Sequence, residues 1–561
     1  MQTPKRRTAT LAFLLAALPA VLTAQTPSNL HLPAGAEQAA KAINRDALEG
    51  PIRFLSDDLL EGRGPGSRGD ELTQAYLATT MELFGLQPGA QGGKWLQTFE
   101  IIGINAKMPE TWELQAGGKT VSLKRSDDFI AASGVQEPAA NLRNAELVFV
   151  GYGIEAPEYQ WNDFKGMDLK GKVLVMLNND PDWDPKLFEG NRRLYYGRWT
   201  YKYESAARQG AAGAIIVHTT PSAGYGWQVV QTSWTGEQFE LPAAGEPRIQ
   251  VAAWTTEDAA RKLFQAAGHD LTKLVEQAKK RDFKPVPLGI TTTMTLQTEI
   301  SRKKTANVLG LLPGSDPNLK DEVVLYSAHH DHLGIGEPDA EGDKIYNGAI
   351  DNAAGTAQLL AIARAFAALP KPPKRSILFA FVAAEEQGLL GSEYLARNPP
   401  LPAGKIAANI NYDGGNVLGR TKDLTFIGLG KSSLDQVVKT LAERQGRKLL
   451  GDQFPDRGFF YRSDQFNFAK VGVPAIYLDN GTEFIGKSAE WGKQQMEDYE
   501  SKRYHQPSDE YDPSWTYDGM IEDAQLGFYA GLSVAENPTL PAWNPGDEFE
   551  AARKKALAEV K

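Results

Sequence analysis

The sequence predicts an α/β fold: a mostly parallel central sheet flanked by helices, interrupted by a separate α+β insert. Three observations lead there. From about residue 305, apolar strand-like runs alternate with helical stretches, the rhythm of a parallel sheet with crossover helices. One run, ILFAFVA at residues 377–383, is almost continuously apolar, as a strand covered on both faces must be. Residues 106–300 have another texture, short β-rich runs punctuated by Gly and Pro, and read as an insert.

In chain order, Lys5, Arg6 and Arg7 precede an apolar run from Leu11 to about Ala24. A charged start and a short apolar stretch predict a secretory signal over residues 1–24, too short for a typical membrane span. Ala24 suits the cleavage position, although Leu22 is larger than usual two residues before it. Residues 25–105 then form the first part of the core domain, with a Gly- and Pro-rich loop at residues 61–67 and a helix over 72–84 stopped at Gly85. Strands are expected in the insert at 146–150, 173–177 and 214–218. The main domain, residues 301–540, should carry strands at 323–328, 377–383, 406–410 and 475–478. Its helices are expected at 353–369, ended by Pro370, and at 433–445 and 520–534. Residues 541–561 form a C-terminal tail whose mixed charge, from Glu548 onward, predicts a solvated helix or a frayed end rather than a binding element.

Composition excludes several classes. The net charge is −10, which argues against nucleic acid as a partner, because phosphate binding needs a basic face. There is no cysteine, so disulfides and thiolate metal sites are impossible, and any metal must use imidazole nitrogen and carboxylate oxygen. With 561 residues, the chain can bury a large core without such staples. No later stretch is apolar enough to span a bilayer, so no stable membrane anchor is expected once the signal is removed. An exported, periplasmic or extracellular protein follows.

The chemistry lies just beyond the strands. After the run at 323–328 comes His329-His330-Asp331-His332, and at a helix start comes Asp351-Asn352-Ala353-Ala354-Gly355. After 377–383 comes Ala384-Glu385-Glu386-Gln387-Gly388, after 406–410 comes Asn411-Tyr412-Asp413-Gly414-Gly415, and near the end stands Tyr504-His505-Gln506-Pro507-Ser508-Asp509. The loops beyond the strand C-termini of such a sheet are where sites form, so the fold would gather these groups at one edge. Only seven histidines occur in the chain, and four fall in these segments, which a solvated loop does not explain.

The segments AHHDHLG (328–334), NGAIDNAAGTA (347–357), AAEEQGLLGS (383–392), NYDGG (411–415) and YHQPSDEYD (504–512) together resemble peptidase family M28, the two-zinc exopeptidases. The insert resembles a protease-associated domain. The resemblance implies the zinc-exopeptidase fold, peptide substrates and two Zn2+ per chain. By it, His329 and Asp413 hold one ion, Glu386 and His505 the other, and Asp351 bridges them. A carboxylate bridges because it has two oxygens, and three protein ligands per ion leave room for water. Glu385 is then the expected general base. Asp331, two residues past His329 in extended chain, would accept the His329 N–H and fix the ring. Neither His330 nor His332 is expected as a ligand: His330 should point away, and His332 is expected as a packed or loop histidine.

In Tyr461-Arg462-Ser463-Asp464-Gln465, Gln465 stands where the family often has histidine, which puts that position's role in doubt. Tyr461 is a candidate hydrogen-bond donor to a tetrahedral oxyanion, or equally a buried aromatic with a satisfied hydroxyl. The aromatic and basic stretch 192–203 is either a packing face or a substrate contact. An aminopeptidase is the leading expectation. A carboxypeptidase of the glutamate carboxypeptidase type is the alternative and needs an arginine for the terminal carboxylate, for which Arg457 and Arg462 are candidates. A one-zinc cyclase-like enzyme and a non-enzymatic receptor-like protein fit less well, since all five ligand positions and the base are present.

Overall fold

The computed structural model describes residues 32–560; the expected signal segment lies outside them. Among those residues, no helix is long and apolar enough to cross a membrane.

The core sheet is built around strand Val323–His329, whose residues are all buried. It pairs in parallel with Ser376–Val382 on one side and Ile406–Asn411 on the other, and Ile406–Asn411 pairs in parallel with Ala475–Asp479. Beyond Ala475–Asp479 lies Asp423–Ile427, antiparallel, and then Lys448–Gly451. On the far side, the end of Val286–Leu312 closes the sheet antiparallel to Ser376–Val382. The sheet is therefore parallel at its centre and antiparallel at its margins.

Alternate residues of the central strands feed two separate cores, as the pleat requires. Val324, Tyr326, Ala328, Ile377, Phe379 and Phe381 face helices Gly355–Ala367, Asp518–Glu536 and Arg45–Leu55. Val323, Leu325, Leu378, Ala380 and Val382 face Leu395 and Phe468, on helices Leu390–Arg397 and Gln465–Lys470. Each large side chain buried this way contributes roughly 1.5–3 kcal/mol. Helix Asp518–Glu536 comes close at two of its glycines. A Cβ on Gly527 would lie 1.6 Å from the Tyr412 hydroxyl, and one on Gly531 would lie 1.9 Å from that of Tyr326.

Strands and helices fall near their expected places, with informative differences. The first long helix is Arg68–Leu83, four residues earlier than its apolar spacing predicts, because the Ser67 side chain caps it by accepting from Asp70 N. The helix expected from 353 begins at Gly355, since Ala349–Ala354 forms a wider turn broken at Asp351 and Asn352. The insert is an open sheet of Ala139–Phe149, Val173–Leu177, Gly213–His218 and Val251–Thr256, joined in parallel in that order, with Phe129–Ser133 antiparallel at its edge. Its expected limits, 106 and 300, fall inside two long paired strands, Leu96–Lys107 and Val286–Leu312, which run from the core sheet into the insert. The C-terminal helix, Glu550–Ala558, is not merely solvated. Arg553 is buried and donates to Ile406 O at 2.9 Å, so the helix docks on the foot of a core strand.

Candidate metal centre

The parallel strands all end at the same edge, and the polar residues after them meet there. His329 is the last residue of Val323–His329, Asp413 follows Ile406–Asn411, and Glu385 and Glu386 follow Ser376–Val382. Ala384, with φ 56, turns the chain sharply so that both glutamates come back over the strand ends. His505, also at φ 56, follows helix Trp491–Lys502.

Asp351 stands at the middle. Its Oδ1 lies 3.2 Å from His329 Nε2 and its Oδ2 lies 3.3 Å from His505 Nε2. His329 Nε2 is also 3.3 Å from Asp413 Oδ1, and His505 Nε2 is 3.0 Å from Glu386 Oε2. The five residues thus form a chain, Asp413, His329, Asp351, His505, Glu386, with one carboxylate facing both imidazoles. Glu385 Oε2 lies 4.0 Å from His329 Nε2. Among the described residues, donor atoms of His329, Glu385 and Asp413 lie within 4.8 Å of one another, as do those of His329, Asp351 and Glu386.

These donors fit zinc. Bonds of about 2.0–2.1 Å at tetrahedral angles put neighbouring donors about 3.3 Å apart, close to the 3.0–3.3 Å separations seen here. His505 Nε2 is buried and, although near Glu386, lies outside hydrogen-bond geometry, an orphaned nitrogen that a cation would satisfy.

Charge is strongly perturbed in the cluster. Burial disfavours protonated His505, yet the Glu386 charge and contacts with Asp351 raise it to about 10. His329 likewise stands well above its ordinary value, with burial overcome by Glu385 and Asp413. Glu386 falls to about 2, since His505 and His332 outweigh burial and the repulsion of Asp351. Glu385 moves the other way: burial pushes it well above the usual carboxylate range, His329 opposes, and Glu386 and Asp413 reinforce the rise. Two adjacent glutamates with opposite shifts suit two different tasks.

The surrounding braces escape sequence reasoning. Buried Arg63 donates to His330 O at 2.8 Å, Asn347 O at 2.6 Å, Gly348 O at 3.0 Å and also Leu55 O, tying the loops that carry His329 and Asp351. Asn352 joins three loops through its own amide, donating to His329 O and Tyr412 O and accepting from Gly414 N and Gly355 N. Asp509 accepts from Asp351 N at 3.0 Å. His330 points away from the cluster, with Nε2 3.0 Å from Asp70 Oδ1. His332 is packed as expected, but against the site, its Nδ1 2.6 Å from Glu386 Oε1. Replacing Arg63 with methionine strips four carbonyls of a charged donor. We expect a loss on the order of 3 kcal/mol or more, read as a lower midpoint of urea unfolding; an unchanged midpoint would show that the bracing is dispensable.

Two expected roles are corrected. Asp331 does not take its hydrogen bond from His329 through the carboxylate, which is 3.7 Å away; the nearer acceptor is the Asp331 carbonyl, at 3.3 Å. The strand ends at His329, so the alternation that would align the two side chains stops there. The carboxylate instead accepts from Glu385 N at 3.0 Å and Glu386 N at 3.4 Å, holding the glutamate turn. Tyr461 is not at the cluster: its hydroxyl donates to Glu548 at 2.7 Å, and its ring packs on Phe460 and Phe466. Gln465 is structural, bonded to Asn411 and Phe460 O.

Two cavities flank the cluster and share Glu385, Arg462 and Tyr504. One, of about 340 Å3, is lined by Asp351, Asp413, Tyr477, Asp479 and Glu500. Burial, with the charges of Asp452 and Asp413, pushes Asp479 up to about 7. The other, of about 500 Å3, lies between core and insert and includes Arg198, Trp199, Tyr203, Tyr225, Ser233 and His505. The aromatic and basic stretch 192–203 therefore reaches a cavity beside the site.

Residues 307–529 match the profile of peptidase family M28. Leupeptin-inactivating enzyme 1 of Streptomyces exfoliatus is 28% identical over 205 residues, 36% of this chain and 42% of that protein. Aminopeptidase NAALADL1 of Rattus norvegicus is 34% identical over 111 residues, 19% of this chain and 13% of that one. The chain thus spans less than half the length of these relatives. A solved aminopeptidase from Aneurinibacillus sp. strain AM-1 superposes with a TM-score of 0.53 over 90% of this chain and 97% of that one, at 18% identity, a likeness of fold alone. The stretch that matches peptidase family M28, residues 307–529, carries all five members of the cluster, His329, Asp351, Glu386, Asp413 and His505.

Proposed function

We propose that the protein is an exported two-zinc exopeptidase that removes residues from the amino end of peptides. The observation that carries this reading is Asp351, one oxygen toward His329 and the other toward His505, with a further carboxylate beyond each imidazole. Ions held there supply Lewis acidity, polarising the scissile carbonyl and making a water acidic. Glu385 takes the proton from the attacking water on its carboxylate and delivers it to the nitrogen of the leaving amine. Asp331 fixes the backbone of that glutamate, and Glu386, committed to an ion, leaves the proton work to its neighbour. The smaller cavity offers a substrate ammonium the carboxylates of Asp413, Asp479 and Glu500, set among Arg457, Arg462, Lys502 and Arg503, which line it too.

A second reading, carboxypeptidase action, is favoured by the larger cavity. Arg198 and Arg462 both line it, and each has a buried guanidinium nitrogen without a hydrogen-bond partner, Nε in Arg198 and Nη1 in Arg462. A carboxylate would satisfy them. Arg457, the other arginine expected there, lies 3.7 Å from Glu500.

One mixed-sequence peptide, prepared free at both ends, N-acetylated and C-amidated, separates the readings by mass spectrometry. Stepwise loss from the amino end, abolished by acetylation and untouched by amidation, is the expected result. Loss from the carboxyl end, abolished by amidation, would establish the second reading, and no end-group dependence would remove both.

A further inference from the structure

The insert reaches into the cluster itself. Helix Trp227–Ser233 belongs to the insert, and its last residue, Ser233, places Oγ 2.7 Å from His505 Nδ1. The other ring nitrogen of His505, Nε2, is the one aimed at Asp351 and Glu386. A neutral imidazole has one N–H and one lone pair. If Nε2 is to offer its lone pair to a cation, the proton must sit on Nδ1, where Ser233 Oγ accepts it. The serine thereby selects both the tautomer and the rotation of the ring.

The seryl group is held firmly. Trp234, the next residue, packs edge-on against Trp199 with ring centres 5.1 Å apart and against Trp254 at 6.1 Å. Five residues beyond it, Phe239 donates its backbone N–H to Gln387 Oε1 at 2.9 Å, and Gln387 directly follows Glu386. The short strand Gln238–Glu240 is itself paired with Leu96–Lys107, one of the two strands linking core and insert. The insert thus grips the segments bearing both Glu386 and His505. Among the described residues, no hydrogen bond joins it to His329 or Asp413. The two halves of the cluster are therefore unequal: one is built wholly by the core domain, and the other is completed by the insert.

We infer that Ser233 is a positioning residue of the cation site, and that retention of the ion between Glu386 and His505 depends on the docked insert. This rests on the two-zinc reading above. Coupling of this kind is reciprocal: if the docked insert tightens zinc, zinc must tighten the docking. The insert then takes part in the site, because its loss or displacement loosens one ion of the pair and leaves the other in place.

The test is zinc binding, measured on the full chain by competition with a chromophoric chelator at fixed pH, for the parent, Ser233→Ala and Ser233→Thr. The parent should hold two zinc ions. Ser233→Ala should keep one at parental affinity and bind the other about 10- to 100-fold more weakly, the usual effect of removing a partner of a metal-bound histidine. Ser233→Thr, which retains the hydroxyl, should restore the second affinity to within a few-fold. Amide exchange of residues 227–240 in the parent supplies a reading that needs no variant: zinc should slow it. Parental affinities for both ions in Ser233→Ala, or exchange indifferent to zinc, would overturn the inference while leaving the two-zinc reading intact. A parent chain that binds no zinc would instead remove the reading beneath it.

Discussion

Replacing Glu385 with glutamine is expected to lower kcat by about 100- to 10,000-fold while leaving the metal content unchanged. The substitution keeps the size of the side chain and one of its oxygens but removes the ability to take a proton. Burial and the neighbouring charges of Glu386 and Asp413 raise this carboxyl above its ordinary range, so it holds a proton more readily than a solvated glutamate. It is also the only glutamate of the adjacent pair free for the task, because Glu386 is engaged by His505 and His332. The geometry permits a competing role: Glu385 has a donor atom within 4.8 Å of those of His329 and Asp413, close enough to share an ion with them. Metal analysis distinguishes the two. Lost activity with full metal identifies a base, lost activity with lost metal identifies a ligand, and parental activity would show that Glu385 is neither.

Asp351→Ala should be more severe, removing most bound metal and with it all measurable hydrolysis. On the two-zinc reading every other member of the cluster would serve one ion, whereas Asp351 presents an oxygen to each imidazole. Its removal leaves two buried histidines without their shared acceptor and two ions without a common anion. Metal per chain, determined by plasma mass spectrometry after gel filtration, should fall below one. Since Asp351 N is also tied to Asp509, Asp351→Asn, which preserves shape, serves as the companion variant and should show the same direction with native circular dichroism. Parental metal content in either would refute bridging.

What the sequence makes legible follows from physics that is local. Strand Ser376–Val382 betrays itself because burial on both faces leaves little room for polar residues. The positions of His329, Glu385, Glu386 and Asp413 follow from those strands, since whatever comes next in the chain lies at the sheet edge. The braces are illegible for the opposite reason. Arg63 acts through carbonyls nearly three hundred residues away, as with Gly348 at a separation of 285, and no periodicity records such a contact. Asp331 misleads because the two-residue alternation of its strand stops at His329. Tyr461 misleads because proximity in sequence says nothing of direction: it closes the short turn Phe459–Tyr461 with its hydroxyl toward the C-terminal segment, at Glu548. That segment, read from its charge as solvated, is docked through Arg553. Ser233 lies 272 residues from the histidine it touches, beyond any reading of the motif around His505.

The central claim, a cluster that holds two cations and hydrolyses peptide ends with them, is tested most directly by reconstitution. The purified chain is stripped with chelator, shown to be folded, and returned to zinc in measured steps while hydrolysis of a free peptide is followed. Activity absent in the stripped protein and fully restored at two equivalents per chain is the predicted result. Full activity in the stripped protein, or none at any zinc concentration, would contradict it.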